Sequence, residues 1–230
     1  MSSEEDKQII QEYKSYLEKK EFACIAAKAS LAKGQIKFMV AHHLSCPAND
    51  LEILDFLYQF IDGYREAGDL YHSAAIIFKG PDAVSEEAFD GMLWQRLQAL
   101  SDLDAQRYPY DTRVSDSPTA TNFSFSLKGE ACYIVGLHPG SSRLTRQFSY
   151  PTLVFNPHAQ FEQLRESAKY DNIKGAVRKR DLAYSGSVNP MLEDFGTASE
   201  VFQYSGRQYG QEWECPLKIN HGRIAGNTAA

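Results

Sequence analysis

Two strand-like runs joined by a short turn constrain the fold of this chain more than any other feature of its sequence. The first, Asn122–Leu127, alternates polar and apolar residues, as in a strand with one polar face. The second, Ala131–Leu137, is almost entirely apolar. Lys128-Gly129-Glu130 lies between them and suits a tight turn. The sequence therefore predicts an antiparallel hairpin.

Helical and strand-like patterns alternate around this hairpin. Apolar residues at helical spacing predict helices over 4–19, 51–64 after a cap at Asn49-Asp50, 86–103 after a cap at Ser85, from Asn156-Pro157 onward, and over 173–184. Short apolar runs predict strands over 36–40, 73–78 and 151–155. The alanine-rich segment 22–33, followed by Gly34, fits either a helix or a buried strand. We expect an α+β fold with mixed α/β layers, in which a central, mostly antiparallel or mixed sheet is flanked by helices.

Length and composition set the class of protein. The chain has 230 residues, 43% of them hydrophobic, which is enough to bury one sizeable core. We expect a single domain over residues 1–217 and a mobile tail over 218–230. The segment 108–118 is rich in proline, serine and aspartate and predicts a long loop. Four cysteines without CxxC spacing predict free thiols.

The charge argues against two classes of partner. With 24 basic and 30 acidic residues the formal net charge is −6, so neither nucleic acid nor an anionic membrane surface is an expected partner. No apolar run approaches the roughly 20 residues that span a bilayer. The acidic start Met1–Asp6 is unlike a signal peptide. We expect a cytoplasmic protein.

The residues after the apolar run Ala131–Leu137 predict a site. Pro139-Gly140 forces a sharp turn where the predicted strand ends, and hydroxyl, imidazole and guanidinium groups follow closely. Planar guanidinium forks suit carboxylates and phosphates, so an anion beside an imidazole is the expected ligand. A porphyrin with two propionates and a nucleotide phosphate both meet that description. The candidate residues are His138, Ser141, Ser142, Arg143, Arg146 and His158.

Each candidate also has a purely structural interpretation. His138 fits a turn residue equally well, and His158 fits a buried histidine on an apolar helix face shared with Phe161 and Leu164. Arg143 and Arg146 would then solvate a loop, since exposed ion pairs contribute little. Cys215, which precedes a proline, is either a thiolate ligand for haem iron or a small buried hydrophobic residue, and the second interpretation is preferred.

The same stretch resembles the signature of the YqcI/YcgG family. The resemblance is densest from about residue 133 to 216, where several separated motifs arrive in order. They include His138-Pro139-Gly140-Ser141-Ser142-Arg143, Phe155-Asn156-Pro157-His158, Arg178-Lys179-Arg180-Asp181, Asn189-Pro190-Met191-Leu192, Tyr204-Ser205-Gly206-Arg207 and Trp213-Glu214-Cys215-Pro216. Some members of this family are haem-dependent N-oxygenases that hydroxylate a guanidino or amino nitrogen.

The resemblance implies a haem-dependent monooxygenase. It implies haem b (iron protoporphyrin IX), dioxygen, an electron donor and a small amine or guanidine substrate that resembles an amino acid. His138 or His158 would be the axial ligand of the iron, with Cys215 less favoured, and Arg143 and Arg146 would engage the propionates. Carboxylates that could hold a cationic substrate are Glu162, Asp194 and Glu200.

Two other kinds of site remain open. A non-catalytic module would use the loop from His138 to Arg146 to cradle a phosphate or carboxylate effector, because successive backbone amides in a turn form an anion-binding concavity. A divalent metal site at His138 and His158 is less favoured, since no third ligand stands at a suitable spacing.

Overall fold

A computed structural model describes residues 3–166, 170–186 and 196–221, with the side chains of 170–173 left aside. Asp194 and the motif Asn189-Pro190-Met191-Leu192 lie outside the described residues. Among the described residues, no helix has the length and apolarity to cross a bilayer.

Five strands and seven α-helices form within these ranges. The strands are β1 Ile36–His43, β2 Ser73–Gly80, β3 Phe125–Leu127, β4 Glu130–Leu137 and β5 Thr152–Pro157. The helices are α1 Glu4–Glu18, α2 Ile25–Ala32, α3 Asp50–Ala67, α4 Glu86–Asp104, α5 His158–Glu166, α6 Tyr170–Ser185 and α7 Val201–Tyr204. Short 3₁₀ turns occur at Pro47–Asn49 and Leu144–Arg146.

The strands form one mixed sheet. Their order is β1-β2-β5-β4-β3, and only β1 and β2 pair in parallel, joined through α3. The β2–β5, β5–β4 and β4–β3 pairs are antiparallel. Helices flank the sheet, so the predicted fold class is confirmed.

The central hairpin forms as predicted, but its polar face is not exposed. Lys128 and Gly129 take φ values of 52° and 64° at the turn, the left-handed conformation of a two-residue hairpin loop. Ser124 and Ser126 are fully buried, because the loop over 108–118 packs across them. Asp111 N–H donates to Ser126 Oγ at 3.0 Å, and the Tyr110 hydroxyl donates to the Ser124 carbonyl at 2.7 Å.

The structure settles one open choice and corrects two details. Segment 22–33 contains helix α2, and Gly34 follows it with a φ of 68°, as expected for a glycine after a helix. Asn156 does not start the next helix: its Nδ2 donates to the Tyr133 carbonyl at 3.2 Å, which holds it in β5. Leu51, predicted on the buried face of α3, is 55% exposed.

The sheet separates two apolar layers. Helices α3 and α4 pack on one face, around Leu57, Phe89 and Ile134. Helix α1 packs on the other, where Tyr13 and Leu137 are buried. Successive residues of a strand point to opposite faces, so β4 contributes alternately to both layers.

The first residues of the predicted tail lie against α4. Lys218 N–H donates to Gln98 Oε1 at 2.7 Å, and His221 Nε2 lies 2.8 Å from Asp104 Oδ2. Residues 218–221 are therefore attached to the domain.

Candidate functional site

A cavity of about 330 Å³ lies on the face of the sheet covered by α1, α2 and α6. This volume falls in the range of about 300–1,000 Å³ that small-molecule sites occupy. Apolar side chains dominate its lining, and they come from distant parts of the chain. Among them are Tyr13, Leu17, Ala27, Ile36, Val135, Leu137, Val154 and Leu164.

An ion pair closes one part of the cavity wall. Arg143, in the loop after β4, donates from Nη2 to Asp181 Oδ2 of α6 at 2.6 Å, and both side chains are nearly buried. Thr145 Oγ1 donates to the other carboxylate oxygen of Asp181 at 3.1 Å. The loop that carries the predicted site is thereby attached to the helix that covers the cavity.

Arg146 is fixed in the same wall by backbone carbonyls. Its Nη1 donates to the carbonyls of Gly136 at 3.0 Å and Tyr204 at 3.3 Å, and its Nη2 donates to that of Gln203 at 3.0 Å. The guanidinium is thus held beside the cavity by β4 and α7 together.

His158 lies between two carboxylates, one of which lines the cavity, although His158 itself is not among the residues that line it. Its Nε2 is 3.0 Å from Glu162 Oε1 and its Nδ1 is 3.2 Å from Glu200 Oε1. Glu200 is buried and lines the cavity, whereas the side chain of Glu162 is 47% exposed and also contacts Arg165. Of the two predicted substrate carboxylates that the structure describes, Glu200 lines the cavity and Glu162 does not.

His138 lies on the opposite face of the sheet. It is fully buried and stacks on Phe89 of α4, and neither ring nitrogen has a hydrogen-bond partner among the described residues. Burial lowers its pKa to about 4, so the imidazole is neutral at pH 7. It does not line the cavity.

The two predicted histidines do not converge on one ligand. In the antiparallel β4–β5 pair, Leu137 faces Thr152 and Cys132 faces Pro157. His138 follows Leu137 at one end of the pair, and His158 follows Pro157 at the other end. Positions 132 and 138 are six residues apart, which is roughly 20 Å at the rise of a strand.

The turn after His138 packs against the start of α4. Ser142 donates to Glu86 Oε1 from its backbone N–H at 3.1 Å and from its hydroxyl at 2.8 Å. Ser141 is buried, and its carbonyl accepts from Gln147 Nε2 at 2.7 Å. A Cβ on Gly140 would lie 2.2 Å from the Val84 carbonyl oxygen. In the loop predicted to bind an anionic effector, the donors of Ser142 are therefore occupied by the carboxylate of Glu86.

Cys215, the alternative haem ligand predicted from the sequence, and Cys24 lie in different parts of the fold. Cys215 packs against the α3/α4 layer, away from the cavity, and burial raises its pKa to about 11, so it remains a thiol. Cys24 lines the cavity, and burial raises its pKa too. Within the described ranges, no three His, Cys, Asp or Glu side chains gather into a metal site.

Sequence reasoning identified the arginines and His158 but missed much of the cavity. Asp181, Cys24 and Gln203 were not predicted as site residues, although all three line it. Asp181 ends the motif Arg178-Lys179-Arg180-Asp181, so a signal was present. Cys24 and Gln203 carry no comparable local signal.

Comparison with known proteins agrees with the resemblance. The model of the YqcI/YcgG family matches residues 13–218. The uncharacterized protein YqcI of Bacillus subtilis (strain 168) is 26% identical over 182 residues, covering 76% of this chain and 70% of that protein. The uncharacterized protein YcgG of the same strain is 25% identical over 182 residues, covering 76% and 71%. No solved structure matches. This chain belongs to the YqcI/YcgG family.

Proposed function

We propose that this protein is a cytoplasmic haem-dependent N-oxygenase, and that haem b and a small amine or guanidine substrate share the cavity. One observation carries the proposal: a largely apolar cavity has Arg143 and Arg146 in its wall together with Glu200, the carboxylate that contacts His158. Bound haem would supply the oxidising chemistry that adds an oxygen atom from dioxygen to the substrate nitrogen, with electrons from a separate donor.

His158 is the residue that would hold the haem iron. A metal-binding histidine usually donates its second ring nitrogen to a carboxylate, which fixes the tautomer and the orientation of the ring. His158 has a carboxylate near each nitrogen, Glu162 near Nε2 and Glu200 near Nδ1. Either nitrogen could therefore bind iron while the other kept its carboxylate partner. His138 is not preferred, since its ring lies under Phe89 on the other face.

Arg143 and Arg146 would engage the propionates. A guanidinium offers five donors in a rigid fork, and the contacts of Arg146 with three carbonyls hold its position in advance. The apolar lining from Val135 and Leu137 would pack against the flat ring. The residues present thus fit the group in charge and in polarity.

The carboxylates of the wall suit a cationic substrate. Glu200 is buried, so its interaction with a guanidinium or ammonium group would be weakly screened. Its Oε2 accepts from the Tyr204 hydroxyl at 3.2 Å, which orients the carboxylate. Glu200 would hold the substrate nitrogen and accept a proton from it at Oε1 or Oε2.

The Soret band tests this proposal. The protein is produced with a haem precursor, and the wild type, His158→Ala and His138→Ala are compared at equal concentration. We expect stoichiometric absorbance in the wild type and in His138→Ala, and its loss in His158→Ala. A fully supplemented wild type without a Soret band would overturn the function. A band that survives in His158→Ala but not in His138→Ala would overturn the assigned ligand.

A further inference from the structure

We propose that four aromatic residues, Tyr133, Tyr204, Trp94 and Trp213, form a path for single electrons from the protein surface to the cavity. We call this set the aromatic path. Tyr133 lines the cavity, and Trp213 lines an open groove on the surface. The inference rests on the proposed oxygenase function, because indole and phenol rings give up an electron only to a strong oxidant.

The rings follow one another at nearly equal spacing. The centroids of Tyr133 and Tyr204 are 5.9 Å apart, those of Tyr204 and Trp94 are 6.0 Å apart, and those of Trp94 and Trp213 are 5.8 Å apart. Tyr209 then stacks on Trp213 with centroids 3.7 Å apart. Electron transfer slows steeply with distance, so adjacent rings that touch favour short successive steps over one long step. The path contains both tryptophans of the chain.

The two inner members donate to buried carboxylates. Trp94 Nε1 donates to Asp90 Oδ1 at 2.9 Å, and the Tyr204 hydroxyl is 3.2 Å from Glu200 Oε2. Tyr209 also donates its hydroxyl to Asp90 Oδ1 at 2.5 Å. An oxidised phenol or indole becomes strongly acidic, so a carboxylate at this distance receives the proton when the electron leaves. These contacts lower the cost of oxidation at buried positions.

The other end of the path reaches solvent. Trp213 and Trp94 line the groove together with Asp90, Asp102 and Glu214. Oxidation of Trp213 therefore places the radical where a small reductant in solution can repair it. The oxidant is peroxide, formed in the cavity when the electron donor reduces dioxygen by two electrons and no substrate is bound. Two electrons from the path, taken one at a time with two protons, reduce it to water.

One electron passes from Trp213 through Trp94, Tyr204 and Tyr133 to the oxidant, which is reduced by one electron. Trp213 loses its indole proton to water and becomes a neutral radical, and a thiol or ascorbate returns one hydrogen atom. The path thus protects the cavity from its own oxidant.

The first experiment uses the haem-loaded protein with hydrogen peroxide and no substrate. Oxidation of Trp213 and Tyr209 is measured by peptide mass spectrometry, and radicals are measured by freeze-quench electron paramagnetic resonance. Trp94→Phe and Tyr204→Phe each interrupt the path, and Tyr64→Phe is the matched control, since Tyr64 is a buried tyrosine of α3 that is not part of it. Thermal unfolding confirms that each variant is folded.

We expect Trp213 oxidation to fall to the level of haem-free protein in both path variants and to stay at the wild-type level in Tyr64→Phe. Unchanged Trp213 oxidation in folded Trp94→Phe and Tyr204→Phe, with the Soret band present, overturns the aromatic path and leaves the oxygenase proposal intact.

A second experiment needs no haem. A ruthenium polypyridyl photo-oxidant in solution oxidises Trp213, which lines the surface groove, in haem-free protein, and transient absorption follows the radical. Every protein in this experiment carries Tyr209→Phe, because Tyr209 stacks on Trp213 and would otherwise give a tyrosyl signal of its own. In this background we expect a tyrosyl signal that grows as the tryptophanyl signal decays, and its loss when Trp94→Phe is added. Identical kinetics with and without Trp94→Phe would overturn the path even if the chain binds no haem, so the two proposals fail separately.

Discussion

The imidazole of His138 stacks on the ring of Phe89, with the centroids 4.2 Å apart and the planes inclined by 20°. The stack buries the ring on the α4 face of the sheet, where neither nitrogen has a hydrogen-bond partner among the described residues. Protonation of this buried imidazole lowers the stability of the folded protein, because burial disfavours the charged form.

His138 makes stability depend on pH. Its folded pKa is lowered from 6.5 to about 4, so the unfolded chain binds a proton in this interval and the folded chain does not. The free energy of unfolding therefore falls as the pH drops from 6.5 toward 4, by at most about 3 kcal/mol from this residue at 1.36 kcal/mol per unit. Urea unfolding across this interval measures it.

Replacement of His138 by leucine should remove that dependence. His138→Leu deletes two buried nitrogens without partners, so we expect equal stability at pH 7 or a gain of about 1 kcal/mol. The pH slope should become shallower than in the wild type. The control is His42→Gln, at an exposed position of β1. Equal slopes in wild type and His138→Leu would contradict the prediction.

Gly140 tolerates no side chain. In Gly140→Ala the added Cβ would lie 2.2 Å from the Val84 carbonyl oxygen, and backbone cannot move aside cheaply. We expect a loss of about 1–3 kcal/mol or more in the free energy of unfolding. The matched control is Gly91→Ala in α4, where, apart from its own helix, no described residue comes within 4 Å of the new Cβ. There alanine should stabilise by about 0.5–1 kcal/mol. Two variants of equal stability would refute this account.

The Arg143–Asp181 pair attaches the loop after β4 to α6. Since both side chains are nearly buried, removal of either takes the charged partner away from a poorly solvated group, and Arg143→Ala or Asp181→Ala should each cost about 3 kcal/mol. The double variant should cost less than the sum, with a coupling energy of about 1–3 kcal/mol. Chemical denaturation of the four proteins gives the coupling, and additive losses would show that the two residues do not interact.

A larger side chain at Ala27 should close the cavity. Ala27 of α2 lines it, whereas Ala32 of the same helix is exposed. We expect Ala27→Phe to abolish haem uptake with little change in melting temperature, and Ala32→Phe to bind haem as the wild type does. Difference absorbance at the Soret band during titration measures both. Full uptake by Ala27→Phe would place the haem elsewhere.

Local patterns predicted the elements well. Helix α4 and the β3–β4 hairpin follow from a cap at Ser85 and from the turn at Lys128-Gly129, and the structure contains both. Such features depend on residues close together in the chain. The buried polar face of Ser124 and Ser126 was not predictable in this way, because it depends on a loop that packs across it.

The candidate site was predicted only in part, for the same physical reason. Arg143 and Arg146 line the cavity, but part of its apolar lining comes from α1 and α2, more than a hundred residues earlier. Tertiary packing of that range has no signature in local periodicity. The side of the sheet on which His138 lies follows from strand alternation, because residues two apart in a strand point to the same face. His138 is two residues after Gly136, and Gly136 faces Phe89 of α4.

The alternation of β4 has an evolutionary consequence. Tyr133, Val135 and Leu137 line the cavity, and the intervening residues pack on α4. A single-residue insertion or deletion in this strand would exchange the two sets and destroy ligand pocket and helix packing in one event. Descendants of this gene should therefore vary β4 by substitution alone, and collect their length changes in the segment over 108–118.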